Sequence, residues 1–164
     1  MASEKELDQA LENALKENEM FRLWFLGRTK LGSGFPYYAW SRSDYPWTRV
    51  EVLLPNPETG TPEPVRRDGE TDVLAVFKAN DGKRLGLHIE NKLARGSFKQ
   101  YQPEVYAARA AAWVGNSEYG NYQHWETVLV APRRFYEANL AEARKFTSYI
   151  SHEDIAERLP GFGR

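Results

Sequence analysis

The sequence predicts an α/β fold with a mixed central sheet flanked by helices, and three observations carry this prediction. Segments with helical and strand-like patterns follow the order helix, three strands, helix, strand, helix. A hairpin with one fully apolar face lies between Glu70 and Lys92. An apolar strand over residues 126–131 follows a helix, so we expect it to join the sheet in parallel.

The first element is a predicted helix from Ser3 to Leu26. Ser3 and Glu6 have the spacing of a capping box, and leucines recur behind them at helical spacing. The pattern weakens around Asn18, where a more apolar continuation begins. Residues 27–48 are predicted to form a loop, because three glycines and two prolines are mixed with aromatic residues there.

The remaining predicted elements complete the layered order. They are a strand at 49–54, a proline-rich turn at 55–67, helices at 99–114, 132–145 and 151–159, and a strand at 146–150. We expect the strands between Arg49 and Lys92 to form an antiparallel meander. The whole chain, residues 1–164, is then a single domain with a three-layer core.

Composition limits the class of protein. The absence of cysteine excludes disulfides and thiolate metal sites. No apolar run is long enough to cross a membrane and the N-terminal segment is too polar for a signal peptide, so we expect a cytoplasmic protein with no membrane partner. The formal net charge of −1 argues against a protein that coats nucleic acid, but it permits a local basic surface.

The turn of the central hairpin determines which residues face each other. Residues 80–82, Asn-Asp-Gly, match a three-residue loop that ends in a left-handed glycine. With Ala79 paired to Lys83, counting outward along both strands places Asp72 opposite Glu90. This register also collects apolar side chains on one face, as expected for a core: Val73, Ala75, Phe77, Leu85, Leu87 and Ile89.

The opposite face of the hairpin carries two acids and a lysine at one end: Asp72, Glu90 and Lys92. Opposed carboxylates repel each other unless a cation neutralises them, and hard oxygen ligands suit Mg²⁺ or Mn²⁺. The backbone carbonyl of Asn91 is a candidate third ligand. Lys92 beside such a metal would hold or activate a water, or stabilise charge on a phosphate oxygen. The alternative interpretation is a set of surface charges in which Lys92 simply pairs with Glu70 or Glu90.

Asp72 followed by Glu-Asn-Lys at 90–92 resembles the PD-(D/E)XK nuclease superfamily, whose fold is restriction-endonuclease-like. Gln102 and Tyr106 have the Gln-x-x-x-Tyr spacing seen after the Glu-x-Lys strand in many members, and they lie one helical turn apart. The resemblance covers about residues 3–131, and the order of the predicted elements is similar to the core of that superfamily.

The resemblance implies a DNA nuclease in which Asp72 and Glu90 bind Mg²⁺ and Lys92 assists the attacking water. It also implies that Gln102 and Tyr106 support the site and contact nucleic acid. Two other functions stay open: a catalytically inactive protein of the same fold that binds nucleic acid or a protein partner, and a hydrolase of another phosphate ester.

Many members also place a glutamate of the first helix near the metal. Relative to Leu7, Glu4 lies about 60° around the helix, between Leu11 and Leu15. A carboxylate inside an apolar stripe needs a partner, so we predict Glu4 as a further metal ligand. The alternative is an exposed glutamate at a frayed helix end.

Basic and aromatic side chains near the predicted site are candidate nucleic-acid contacts. The basic ones bracket the site in sequence: Arg66, Arg67, Arg95, Lys99 and Arg109. For any one of them, the alternative is a solvated charge on a loop or helix face. The aromatic ones lie in the predicted loop 35–47: Tyr37, Tyr38, Trp40, Tyr45 and Trp47. They are suited to stacking on bases, to a homodimer or protein interface, or to packing of the loop itself.

Overall fold

The computed structural model of the chain describes residues 2–44 and 47–163. The described helices and strands are α1 (Glu4–Glu17), α2 (Glu19–Gly27), β1 (Tyr37–Arg42), β2 (Thr48–Pro55), β3 (Pro62–Gly69), β4 (Val73–Lys78), β5 (Arg84–Asn91), α3 (Gln102–Ala112), β6 (His124–Ala131), α4 (Arg133–Ala138), α5 (Leu140–Ala143), β7 (Ser148–Ser151) and α6 (His152–Arg158). None of these helices is long and apolar enough to span a bilayer.

The central sheet confirms the α/β class and the mixed strand directions. Its strand order is β1-β4-β5-β6-β7. Strands β1, β4 and β5 pair antiparallel, whereas β5, β6 and β7 pair in parallel. One buried cluster joins the sheet to α1, α2 and α6, and others join its opposite face to α3, α4 and α5. Helices therefore flank the sheet on both sides, as expected for three layers.

The register predicted for the central hairpin is confirmed. Strand β4 pairs with β5 from Val73↔Ile89 to Lys78↔Arg84. Gly82 has a φ of 84°, which is the left-handed conformation that the loop requires. The side chains of the predicted core face are all fully buried against the first two helices: Val73, Ala75, Phe77, Leu85, Leu87 and Ile89.

The predicted meander is wrong in its first strand. The strand beside β4 is β1, not the strand at 49–54, which is β2. Strand β2 instead pairs with β3 in a separate two-stranded sheet, so the predicted turn at 55–67 is mostly strand. The reason is visible in β2: Val50, Val52 and Leu54 are buried against α3, while the alternate residues are exposed. A strand that is apolar on one side only fits a covering hairpin, whereas a central strand is buried on both faces.

The loop predicted at 27–48 is also partly wrong, because it contains β1. Aromatic residues favour strands, and here they outweighed the neighbouring glycines and prolines. Tyr37, Tyr38 and Trp40 lie on this strand, while Trp47 directly precedes β2. Tyr45 lies outside the described residues.

Polar caps divide the helices more finely than predicted. The capping box of Ser3 and Glu6 is confirmed, with Glu6 N–H donating to Ser3 Oγ at 3.2 Å. Asn18 ends α1 and caps α2, so the predicted first helix is two helices. Asn139 likewise divides the helix predicted at 132–145 into α4 and α5.

Candidate active site

One cavity of about 270 Å³ gathers the residues that the motifs single out. It lies where β4 begins and β5 ends, between the first turn of α1 and the start of α3. Asp72, Glu90 and Lys92 line it together with Gln102 and Tyr106. The predicted acid and lysine cluster is therefore one physical site.

Backbone and hydroxyl contacts hold the two acids in place. Oδ2 of Asp72 accepts a hydrogen bond from the backbone N–H of Asn91 at 2.9 Å. The Asp72 N–H in turn donates to the Tyr106 hydroxyl at 3.0 Å, and that hydroxyl donates to the backbone carbonyl of Ile89, next to Glu90, at 3.5 Å. The Asp72 and Glu90 carboxyls are near enough to act on each other electrostatically. Tyr106 thus joins α3 to the backbone at both acids, while Gln102 accepts from the N–H of Lys99 at 3.1 Å and shapes the turn before α3.

Lys92 is buried and held by two acceptors. Its Nζ lies 3.1 Å from Oε1 of Glu90 and donates to the carbonyl of Ser97 at 2.9 Å. The ring of Phe98 lies 5.5 Å below the same nitrogen. An ammonium group has three N–H donors, so one remains that no described residue accepts in the hydrogen bonds and ion pairs given.

The surroundings of Asp72 and Glu90 disfavour the ionised form of both carboxyls. Burial, together with the charges of Glu90 and Asp8, raises the pKa of Asp72 to about 10. Burial also raises the pKa of Glu90, although the Lys92 ammonium opposes the shift. Without a cation, the pair therefore retains a proton at neutral pH. A divalent cation would displace that proton and remove the repulsion.

Asp8 is a further buried acid that sequence reasoning missed, and it acts electrostatically on Asp72 and Glu90 although it does not line the cavity. It lies on α1, is 7% exposed, and its Oδ1 accepts from the Asn91 side-chain amide at 3.0 Å. Burial, together with the charges of Glu90 and Glu4, raises the pKa of Asp8 to about 7. The signal was available in the helical projection, since Asp8 falls about 20° beyond Leu15 at the border of the apolar stripe.

The prediction that Glu4 is buried among core residues is wrong. Glu4 is exposed, because the first turn of α1 faces the cavity rather than the packed sheet. It still lines the cavity and acts electrostatically on Asp8 and Asp72. The buried carboxylate of this helix is Asp8, one turn further along.

The Asn91 side chain points to the other face of the sheet from Glu90. Its amide donates to Asp8, and its Oδ1 lies 2.8 Å from Nε2 of His152. Burial lowers the pKa of His152 to about 4, so the ring is neutral and its Nε2–H is the donor to Asn91. Asn91 therefore positions Asp8 with its side chain and Asp72 with its N–H, while the role predicted for its carbonyl stays a prediction.

The donor set at this site fits a hard cation. In residues 2–44 and 47–163, no three acid or histidine side chains form a preassembled ligand group. Asp72 and Glu90 supply two carboxylates, and Mg²⁺ is commonly bound through one or two carboxylates with water and substrate phosphate completing its shell. His88 does not contribute, because it is fully buried between Thr71 and Tyr122.

The structure separates the predicted phosphate contacts into two groups. Arg67 and Lys99 line the cavity, whereas Arg66 is exposed elsewhere on the β2–β3 hairpin and Arg95 lines a different cavity beside α6. Arg109 also lines the cavity and is 1% exposed. Its guanidinium donates to the carbonyl of Glu70 at 3.1 Å, and its Nε has no hydrogen-bond partner among the described residues.

Comparison of the chain with protein-family models, with curated proteins and with solved structures finds no match. The restriction-endonuclease-like identity expected from the motifs at Asp72, 90–92 and 102–106 therefore stays a prediction.

Proposed function

We propose that the protein is a metal-dependent nuclease that hydrolyses phosphodiester bonds of DNA. Asp72 and Glu90 bind Mg²⁺, with Asp8 and Glu4 adding negative charge around it. A bound Mg²⁺ supplies positive charge that stabilises a phosphate in the pentavalent state. The observation that carries the proposal is that two carboxyl side chains and a buried lysine line one cavity together, with the lysine 3.1 Å from Glu90.

In the proposed reaction, water attacks phosphorus and the bond from phosphorus to the leaving sugar oxygen breaks. One proton of the water ends on that oxygen. Lys92 directs its remaining N–H donor at the attacking water or at a phosphate oxygen, and its contacts with Glu90 and Ser97 keep the ammonium in place. Tyr106 holds the acids through Asp72 N–H.

Five acidic and four basic side chains line the cavity, and the basic ones offer contacts for the phosphate of a substrate. Arg67 and Lys99 are exposed at the cavity, and the Arg109 guanidinium is buried in its wall. Such side chains bind phosphates without reading sequence. The PD-(D/E)XK identity belongs to the same proposal, supported by a sheet whose antiparallel strands precede its parallel ones.

A second candidate is a catalytically inactive protein of the same fold that binds nucleic acid or a protein. The 3.1 Å contact between Lys92 and Glu90 favours it, because this ion pair partly neutralises the site without any metal. A nuclease assay separates the two candidates directly.

The assay offers single- and double-stranded DNA and RNA with Mg²⁺, with Mn²⁺ or with chelator. We expect metal-dependent cleavage by the wild type, loss of it in Asp72→Ala, and a loss of roughly 10²–10³-fold in Lys92→Ala. Asp81→Ala and Lys83→Ala are matched controls, because this exposed pair lies at the opposite end of the same hairpin. If the wild type cuts none of these substrates with either metal, the nuclease proposal is wrong.

A further inference from the structure

Trp47 forms part of the wall of the candidate active site and remains accessible. It lines the same cavity as Asp72 and Glu90 and is 58% exposed. The Nζ of Lys99 lies 4.2 Å from the centroid of its indole ring. The ammonium group covers part of the ring, and the exposure of the residue leaves further aromatic surface open to a ligand.

The acids lie at the bottom of the cavity. Glu90 is 4% exposed and Lys92 is 8% exposed. The β2–β3 hairpin forms one wall through residues 67–69, and α3 forms another. A phosphodiester must therefore enter the cavity to reach the acids.

An unpaired strand satisfies this requirement better than an intact duplex. The cavity of about 270 Å³ lies just below the range of about 300–1,000 Å³ for small-ligand pockets, so it has room for part of one nucleotide but not for a base pair. An unpaired nucleotide can turn its base outward, whereas a base in a duplex stays stacked within the helix unless it is flipped. The net charge of −1 also offers little of the extended positive surface that duplex binding uses.

We propose that the site takes an unpaired nucleic-acid strand, one base of which stacks on Trp47 while the adjoining phosphate enters the cavity. This proposal rests on the proposed nuclease function and names its substrate class. Lys99 and Arg67 flank the cavity and contact the phosphates on either side of the stacked base.

The test measures binding of a labelled single-stranded oligonucleotide, and of the same sequence as a blunt duplex, by fluorescence anisotropy in chelator. Cleavage of both substrates is then followed with Mg²⁺. Trp47→Ala is expected to weaken single-strand binding by roughly 5- to 150-fold, the range for loss of one stacked base, and Trp47→Phe to keep most of the affinity. Tyr37→Ala is the matched control, because Tyr37 is 52% exposed and pairs with Lys78 at the far end of β4 from Asp72. This control should bind and cut like the wild type.

The outcomes distinguish this proposal from the proposed function. Cleavage of nucleic acid with equal binding of duplex and single strand, or with no effect of Trp47→Ala, overturns the unpaired-strand proposal and leaves the nuclease standing. Single-strand binding that depends on Trp47, without cleavage of any substrate, supports the stacking site and overturns the nuclease. A Trp47→Phe variant as weak as Trp47→Ala would show that stacking is not the interaction, and would also overturn the proposal.

Discussion

Replacing Asp72 by asparagine should stabilise the metal-free protein, and the gain should grow with pH. Burial raises the pKa of Asp72 from 3.8 to about 10 on folding. The folded chain therefore binds a proton that the unfolded chain releases, so this carboxyl favours folding at low pH and its contribution is lost as the pH rises toward 10. An asparagine amide needs no proton and can still accept from the Asn91 N–H.

The size of the effect follows from the pKa shift. For each pH unit above the pKa of the unfolded state, Asp72 lowers the free energy of unfolding of the wild type by at most about 1.4 kcal/mol. The largest loss between pH 4 and pH 7 is therefore roughly 4 kcal/mol. Asp72 is partly exposed and solvent reduces that largest loss. We therefore expect Asp72→Asn to be more stable than the wild type by about 1–3 kcal/mol at pH 7, or by roughly 2–12 °C in melting temperature.

The assay is urea unfolding of wild type and Asp72→Asn in chelator at several pH values. Asp81→Asn is the control, because Asp81 is exposed at the hairpin turn, at the opposite end of the hairpin from Asp72. A variant that is less stable than the wild type at pH 8, or a difference that does not grow with pH, would refute the electrostatic reasoning.

Three further changes test the supports of the site. Tyr106→Phe leaves the Asp72 N–H without its acceptor and should cost about 1–3 kcal/mol in the free energy of urea unfolding; an unchanged value would contradict the hydrogen bond. Gly86→Ala would place a Cβ 2.6 Å from the Tyr122 ring and should also cost about 1–3 kcal/mol, whereas an unchanged melting temperature would mean that the ring moves freely. Asp8→Asn should weaken Mg²⁺ binding by roughly 10- to 100-fold in a calorimetric titration, and equal affinity would remove Asp8 from the metal site.

The hairpin that carries the acids was predictable because two independent constraints agree there. The turn at 80–82 sets the pairing, and the apolar face tolerates no slip by one residue. Local information of this kind was enough to place Asp72 beside Glu90. The parallel pairing of β6 was predictable too, because a crossover helix precedes it.

Features that depend on contacts distant in sequence were not predictable in the same way. β1 pairs with β4 across more than thirty residues, and the intervening β2–β3 hairpin packs on α3 instead of joining the central sheet. The helical projection places Asp8 only at the border of the apolar stripe, and its burial follows from the contact with Asn91. The role of Trp47 as a cavity wall likewise follows only from where the β2–β3 hairpin packs.

The most direct test of the cation site is a crystal structure of the protein soaked in Mn²⁺, with anomalous diffraction to locate the metal. We predict an anomalous peak bound by carboxylate oxygens of both Asp72 and Glu90, with Lys92 beside it. A saturating soak that leaves no peak between the two carboxyls would contradict the account.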